Sequence, residues 1–220
     1  RSDQPGDGYD FDTLADDLAA VLEHLDLRDV TLVSHSMGSG EVARYLARHG
    51  AERIARVALI SPTLPYLRLD ESNPEGVDPA RFDEIVGALR ADRPGYLANL
   101  APAALGVGLP GVEVSSALAG WALGLFMTSS PKASIDTVRT PTETDLRDDM
   151  ASFTVPTLIV HGDRDALVPI EVSGRRAAGM IRDCRLVVYE NASHWPFLTH
   201  RERLNAQLAA FARAEQPVSS

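Results

Sequence analysis

The sequence predicts an α/β fold: a mostly parallel sheet with helices packed on both of its faces. Three observations carry that prediction. Short, continuously apolar runs recur at Val57-Ala58-Leu59-Ile60, Thr157-Leu158-Ile159-Val160 and Leu186-Val187-Val188-Tyr189. Runs of this length without polar alternation suit strands buried on both faces. Stretches with helical spacing separate them, and the turn chemistry falls between the two kinds of segment.

The elements follow in order. Leu14, Leu18, Val21, Leu22 and Leu25 fall at helical spacing between Thr13 and Leu27, with Asp16, Asp17, Glu23 and His24 off the stripe. Asp12 or Thr13 is the predicted N-cap. Asp29 to Ser34 contains Val30, Leu32 and Val33 and reads as the first strand. Glu41 to His49 reads as a helix stopped by Gly50, the residue favoured just past a helix end. The run at Val57 to Ile60 ends at Ser61-Pro62. From Pro62 to about Met150 the pattern changes: Pro and Gly are frequent, no strand pattern stands out, and apolar segments such as Ala117 to Phe126 look helical. This predicts a core formed by residues 1–62 and 151–220, with residues 63–150 a helical insertion between two sheet strands. The last predicted helix runs from Arg201 to Arg213, with Leu204, Leu208 and Phe211 in register, and Gln216 to Ser220 is predicted to fray.

Composition removes several function classes. Apolar residues make up 45% and charged residues 24% of 220 positions, as in an ordinary globular domain. The net charge is −10, and without a basic stripe a nucleic-acid partner is not expected. No apolar stretch is long enough to predict a membrane-spanning helix. Cys184 is the single cysteine, which suits a reducing compartment. The N-terminal residues lack a charged-then-apolar signal pattern, and a cytoplasmic location is the expectation. No Cys/His or carboxylate cluster has metal-ligand spacing, and there is no G-x-G-x-x-G after a strand and no Walker motif, so neither metal nor cofactor is expected.

The chemistry concentrates at strand ends. Val33-Ser34-His35-Ser36-Met37-Gly38 lies between a predicted strand and a predicted helix and matches G-x-S-x-G, except that Ser34 stands for the first glycine. Such a turn must be sharp and strained to push the Ser36 hydroxyl out. It also aims the Met37 backbone N–H at a developing oxyanion, beside the positive end of the helix. A serine hydroxyl is a poor nucleophile without a base held by a carboxylate. Both partners are expected later in the chain, acid before histidine. His161-Gly162-Asp163-Arg164-Asp165 follows one strand run, and Asn191-Ala192-Ser193-His194 follows the next. His35 and His161 read as packing or structural hydrogen-bonding residues, and His24, His49 and His200 as solvated.

With these segments in hand, the sequence resembles the α/β-hydrolase superfamily, and most closely its cofactor-free bacterial haloperoxidase and aryl-esterase branch. The resemblance is carried by Arg1-Ser2-Asp3-Gln4-Pro5, Leu32 to Arg44, Thr144 to Arg147 with Asp149-Met150, and Pro156 to Pro169. It extends over nearly the whole chain and implies that the insertion is that family's cap. It implies Ser36 as nucleophile, His194 as base and Asp165 as acid, because the family places its acid three residues after the glycine of the His-Gly pair. Asp163 is then a turn residue. Trp195 departs from the glycine that the family often has after its histidine, which either narrows the pocket or packs on the cap.

The implied activity is hydrolysis of esters or related acyl compounds, with hydrogen peroxide able to replace water to give a peracid. Dehalogenases and epoxide hydrolases of this fold use a carboxylate nucleophile, which Ser36 argues against. Lactonase, thioesterase and carbon–carbon bond hydrolase chemistry stay open. In the resembled fold roughly four strands and the first helix precede the part matched by Arg1, with the loop that gives the second oxyanion donor. The expectation is therefore an N-terminally truncated core, able to self-associate through an exposed sheet edge. The alternative reading is a chain of this fold that is catalytically impaired because part of its oxyanion hole is lacking.

Overall fold

The computed structural model describes residues 3–213; the predicted fraying at Gln216 to Ser220 lies outside the described residues. Four parallel strands form the sheet: β1 (Val30–His35), β2 (Ile54–Ile60), β3 (Thr157–Gly162) and β4 (Cys184–Tyr189), side by side in that order. The helices are α1 (Phe11–His24), α2 (Gly38–His49), α3 (Pro79–Leu105), α4 (Ser116–Phe126), α5 (Pro131–Glu143), α6 (Gly174–Met180), α7 (Pro196–Thr199) and α8 (Arg201–Arg213). Among the described helices none is long and apolar enough to cross a membrane.

The continuous apolar runs are buried from both sides. Along β2, Val57 and Leu59 face a cluster with Phe11, Ala15 and Leu22 of α1, Val42, Tyr45 and Leu46 of α2, and Ala177 of α6. Ala58 and Ile60 face the other way, with Leu158 and Val160 of β3 and Leu204 of α8. All seven residues of β2 are buried. Each fully buried Val, Leu or Ile contributes roughly 1.5–3 kcal/mol, so this strand anchors the domain.

The element boundaries depart from the predicted ones in instructive ways. The α1 cap is Asp10, whose carboxylate accepts the Thr13 N–H at 2.9 Å; Asp12 and Thr13 lie inside the helix, because Phe11 already belongs to its buried face. The second strand begins at Ile54, earlier than the run at Val57 suggested, since Arg56 interrupts the apolar pattern yet pairs with Thr31. Gly50 does end α2, with φ +77°.

Between β2 and β3 the helices α3, α4 and α5 carry the Pro-rich region. Pro94 falls within α3 without ending it because the helix is two segments joined at Asp92 (φ −150°, ψ 80°). The Asp92 carboxylate accepts the Gly95 N–H at 3.0 Å. It caps the second segment, and Pro94 takes an early position that needs no backbone donor. Beside it, Arg93 donates to the Phe126 and Ser129 carbonyls, holding the α4–α5 connection.

Candidate active site

Ser36, Asp165 and His194 come from three separate strand ends. Ser36 follows β1, Asp165 lies just past β3, and His194 sits in the loop after β4. At Ser36 the chain enters the left-handed region (φ +52°), a costly conformation for a residue with a side chain, and its N–H is held by the Ile60 carbonyl at 2.9 Å. Ser39 closes the turn. Its hydroxyl donates to the Ser36 carbonyl at 2.7 Å and accepts the Thr63 N–H at 3.0 Å, joining the turn to the exit of β2. Met37 caps the N-terminus of α2, so its backbone lies at the positive end of that helix.

Ser34, standing where the motif has glycine, is accommodated. A Cβ built on Gly38 would lie 3.6 Å from the Ser34 Cβ, an ordinary contact. The Ser34 hydroxyl is buried with no hydrogen-bond partner among the described residues.

The three side chains form a chain of hydrogen bonds. His194 Nε2 lies 2.8 Å from Ser36 Oγ, and His194 Nδ1 lies 2.7 Å from Asp165 Oδ2. A carboxylate only accepts, so Nδ1 carries the proton and Nε2 presents its lone pair to the serine hydroxyl. The Leu167 and Val168 N–H groups donate to Asp165 Oδ1 at 3.0 and 2.9 Å. Burial pushes the Asp165 carboxyl up, but the nearby donors of His161 and His194 outweigh it, and the group is held well below the usual carboxylate range. Asp163, the other carboxylate of this turn, is exposed, and its backbone N–H bonds the Tyr189 carbonyl.

The loop bearing His194 is fastened by three hydrogen bonds, from the ends of β1 and α3. His35 Nε2–H donates to the His194 carbonyl at 2.9 Å, its ring centroid 4.7 Å from that of His194. The Trp195 N–H bonds the Ala104 carbonyl at 2.9 Å, and the Ser193 hydroxyl bonds the Ala103 carbonyl at 2.7 Å. Helix ends leave carbonyls without intrahelical partners; here the histidine loop supplies a donor to Ala104 and a second one to Ala103, whose carbonyl also accepts the Gly106 N–H. Gly162 brings the Asp165 and His194 turns together, since a Cβ there would lie 2.1 Å from the Ala192 carbonyl oxygen.

Trp195 packs into an apolar cluster with Ala101, Leu105, Ala122 and Phe126, its ring 5.1 Å from that of Phe126, so it joins the inserted helices to the site. His161, read as a structural hydrogen-bonding residue, is fully buried, and His35, read as a packing residue, is partly buried. The sequence reading missed that His35 grips the backbone of His194, and that Ser39 and Ser193 tie the site together; their partners lie far along the chain and leave no local signature. His49 is not simply solvated, since its Nε2 lies 2.8 Å from the Asp16 carboxylate. His200 packs against Tyr189, with ring centroids 5.7 Å apart.

Comparison with known proteins agrees with this architecture. Residues 1–201 match the family described as the alpha/beta hydrolase fold. A non-heme haloperoxidase of Rhodococcus erythropolis is 42% identical over 214 residues, covering 96% of this chain and 77% of that protein. A bifunctional esterase/perhydrolase of Acinetobacter calcoaceticus is 36% identical over 218 residues, covering 97% and 78%. Among solved structures, a bromoperoxidase from Bacillus anthracis superposes with a TM-score of 0.93 at 35% identity, over 97% of this chain and 78% of that one.

Proposed function

The chain belongs to the alpha/beta hydrolase fold family, with haloperoxidases and esterases among its relatives, and from that premise we propose that it is a serine hydrolase of carboxylic esters. The observation that carries the reading is the unbroken hydrogen-bond chain from Ser36 Oγ through His194 to Asp165.

In this mechanism Ser36 Oγ attacks the acyl carbonyl carbon while His194 Nε2 takes the hydroxyl proton. Asp165 keeps the ring in the Nδ1–H tautomer and stabilises the imidazolium that forms. The Met37 N–H, at the positive end of α2, stabilises the oxyanion. Collapse of the tetrahedral intermediate expels the alcohol, which leaves with the proton from His194, and Ser36 is left acylated. A water molecule then gives its proton to His194, attacks the acyl carbon and releases the acid, restoring Ser36. When hydrogen peroxide takes the place of water, the product is a peracid. The esterase/perhydrolase among the relatives supports that second outlet.

Labelling with a fluorophosphonate tests the reading, because it requires a folded site and an activated serine. The expected result is one modification per chain, at Ser36, lost in Ser36→Ala. Labelling elsewhere, or none in a folded chain, would overturn it and favour the reading of a catalytically impaired chain.

A further inference from the structure

His161 is not used in the mechanism above, yet it is fully buried beside the carboxylate on which that mechanism depends. It lies within β3, ahead of the turn that carries Asp165. Its Nε2 lies 2.9 Å from the Val168 carbonyl and 3.2 Å from Asp165 Oδ2, the same oxygen that accepts from His194. Both neighbours are acceptors, so Nε2 carries the proton. That proton is aimed at the Val168 carbonyl, with the carboxylate oxygen to its side. The other ring nitrogen, Nδ1, is buried without a hydrogen-bond partner among the described residues and faces Gly174, where a Cβ would come within 2.5 Å of it.

This arrangement fixes the acid twice. Holding the Val168 carbonyl fixes the turn whose Leu167 and Val168 N–H groups grip Oδ1. The same N–H edge presents positive charge to Oδ2 and competes there with His194. Glycine at 174 gives the ring its place, because a side chain there would run into Nδ1.

Resting on the serine-hydrolase reading, we propose that His161 is a positioning residue for Asp165: it sets the orientation of the carboxylate and limits how much of its charge acts on His194. The titratable groups facing this carboxylate are His161 from β3, His194 from the loop after β4 and, farther off, His35 at the end of β1.

The inference is tested with His161→Leu, which removes the donor, and His161→Gln, whose amide nitrogen can stand near the place of Nε2. His161→Leu is expected to lower kcat/KM for p-nitrophenyl acetate by roughly 3–10-fold, the scale of one lost hydrogen bond to a backbone carbonyl. It is also expected to move the acid limb of the pH profile to higher pH, because more of the carboxylate charge then favours the protonated His194 ring. His161→Gln is expected to restore most of the rate and the parent limb. A purely structural role would lower the melting temperature and the active fraction but leave the limb in place in every variant, and that result overturns the proposal.

The far-downfield proton of the His194–Asp165 hydrogen bond, read by NMR without substrate, gives a test that needs no turnover. It is expected to move in His161→Leu and return in His161→Gln; an unmoved resonance overturns the proposal. Should His161→Leu fail to fold, His161→Asn, whose shorter side chain cannot reach the place of Nε2, takes its part in both measurements. Ser36→Ala in the same assay separates the two ideas: activity surviving that change defeats the serine-hydrolase reading, whereas an inert Ser36→Ala beside an unperturbed His161→Leu defeats only this inference.

Discussion

Two carboxylates stand within three residues of each other after β3, and their surroundings make them unequal. Asp165 is buried and accepts from His194 and two backbone N–H groups, whereas Asp163 faces solvent. Asp165→Asn is therefore expected to cost on the order of 10⁴ in kcat, the scale seen when such an acid is neutralised. Asp163→Asn should change it by about twofold or less, because surface changes away from a site have small effects. Steady-state kinetics on both variants checks this, and the reverse order would move the acid to Asp163. His35 supplies a second expectation. Burial, then the nearby charge of His194, pushes its pKa from 6.5 down to about 4. Between those values the unfolded chain binds more protons than the folded one, so stability is full above about pH 6.5 and falls as the pH drops towards 4. The linked contribution is about 2–3 kcal/mol. Asp165, with a depressed pKa, adds a further loss only at more acidic pH. Urea melts at pH 7.5 and pH 4.5 should therefore show a smaller loss for His35→Gln than for the parent; equal losses would show that His35 does not titrate in this window.

At the scale of elements, the two small residues of the site turns carry different demands. Ser34 has room and an unpartnered hydroxyl, so Ser34→Gly should change stability by roughly 1 kcal/mol or less. Gly162 has none: a side chain there meets the Ala192 backbone, and Gly162→Ala should cost about 1–3 kcal/mol and reduce turnover as the acid and base turns part. Thermal melts and ester kinetics on both variants decide it, and an inert Gly162→Ala would mean that the histidine loop yields freely. These elements also show what a sequence reveals. The turn at Ser36 was legible because strand, small residues and helix must adjoin there. The strands were legible because both faces are buried and their apolar runs are unbroken. The interior of α3 was not, since Pro94 reads as a breaker until Asp92 is seen to restart the helix. The grip of His35 on the loop after β4 was equally hidden, because nothing near position 35 encodes a partner 159 residues away.

For the molecule as a whole, the sheet places β1 at one margin of the described strands, with Val33 54% exposed on it. Unpaired strand edges with apolar side chains invite pairing between chains, while a net charge of −10 opposes it. A chain of these 220 residues is expected to elute from a sizing column above its monomer mass of 23.7 kDa. The shift should grow with salt as repulsion is screened, and shrink in Val33→Lys. A monomer at every concentration and salt level would show that this margin does not associate.

The fastening of the His194 loop to two distant elements has a consequence in time. Its anchors, His35, Ala103 and Ala104, belong to β1 and to the far end of α3, so the loop cannot settle until both are in place and β4 has joined β3. Catalytic competence is then expected to be a late event in refolding from urea. Fluorophosphonate uptake, sampled through the refolding course, is expected to lag the recovery of far-ultraviolet circular dichroism; simultaneous recovery would mean that the loop assembles together with the sheet. An ester assay on this chain would then time the completion of assembly and stay blind to the earlier stages that spectroscopy sees.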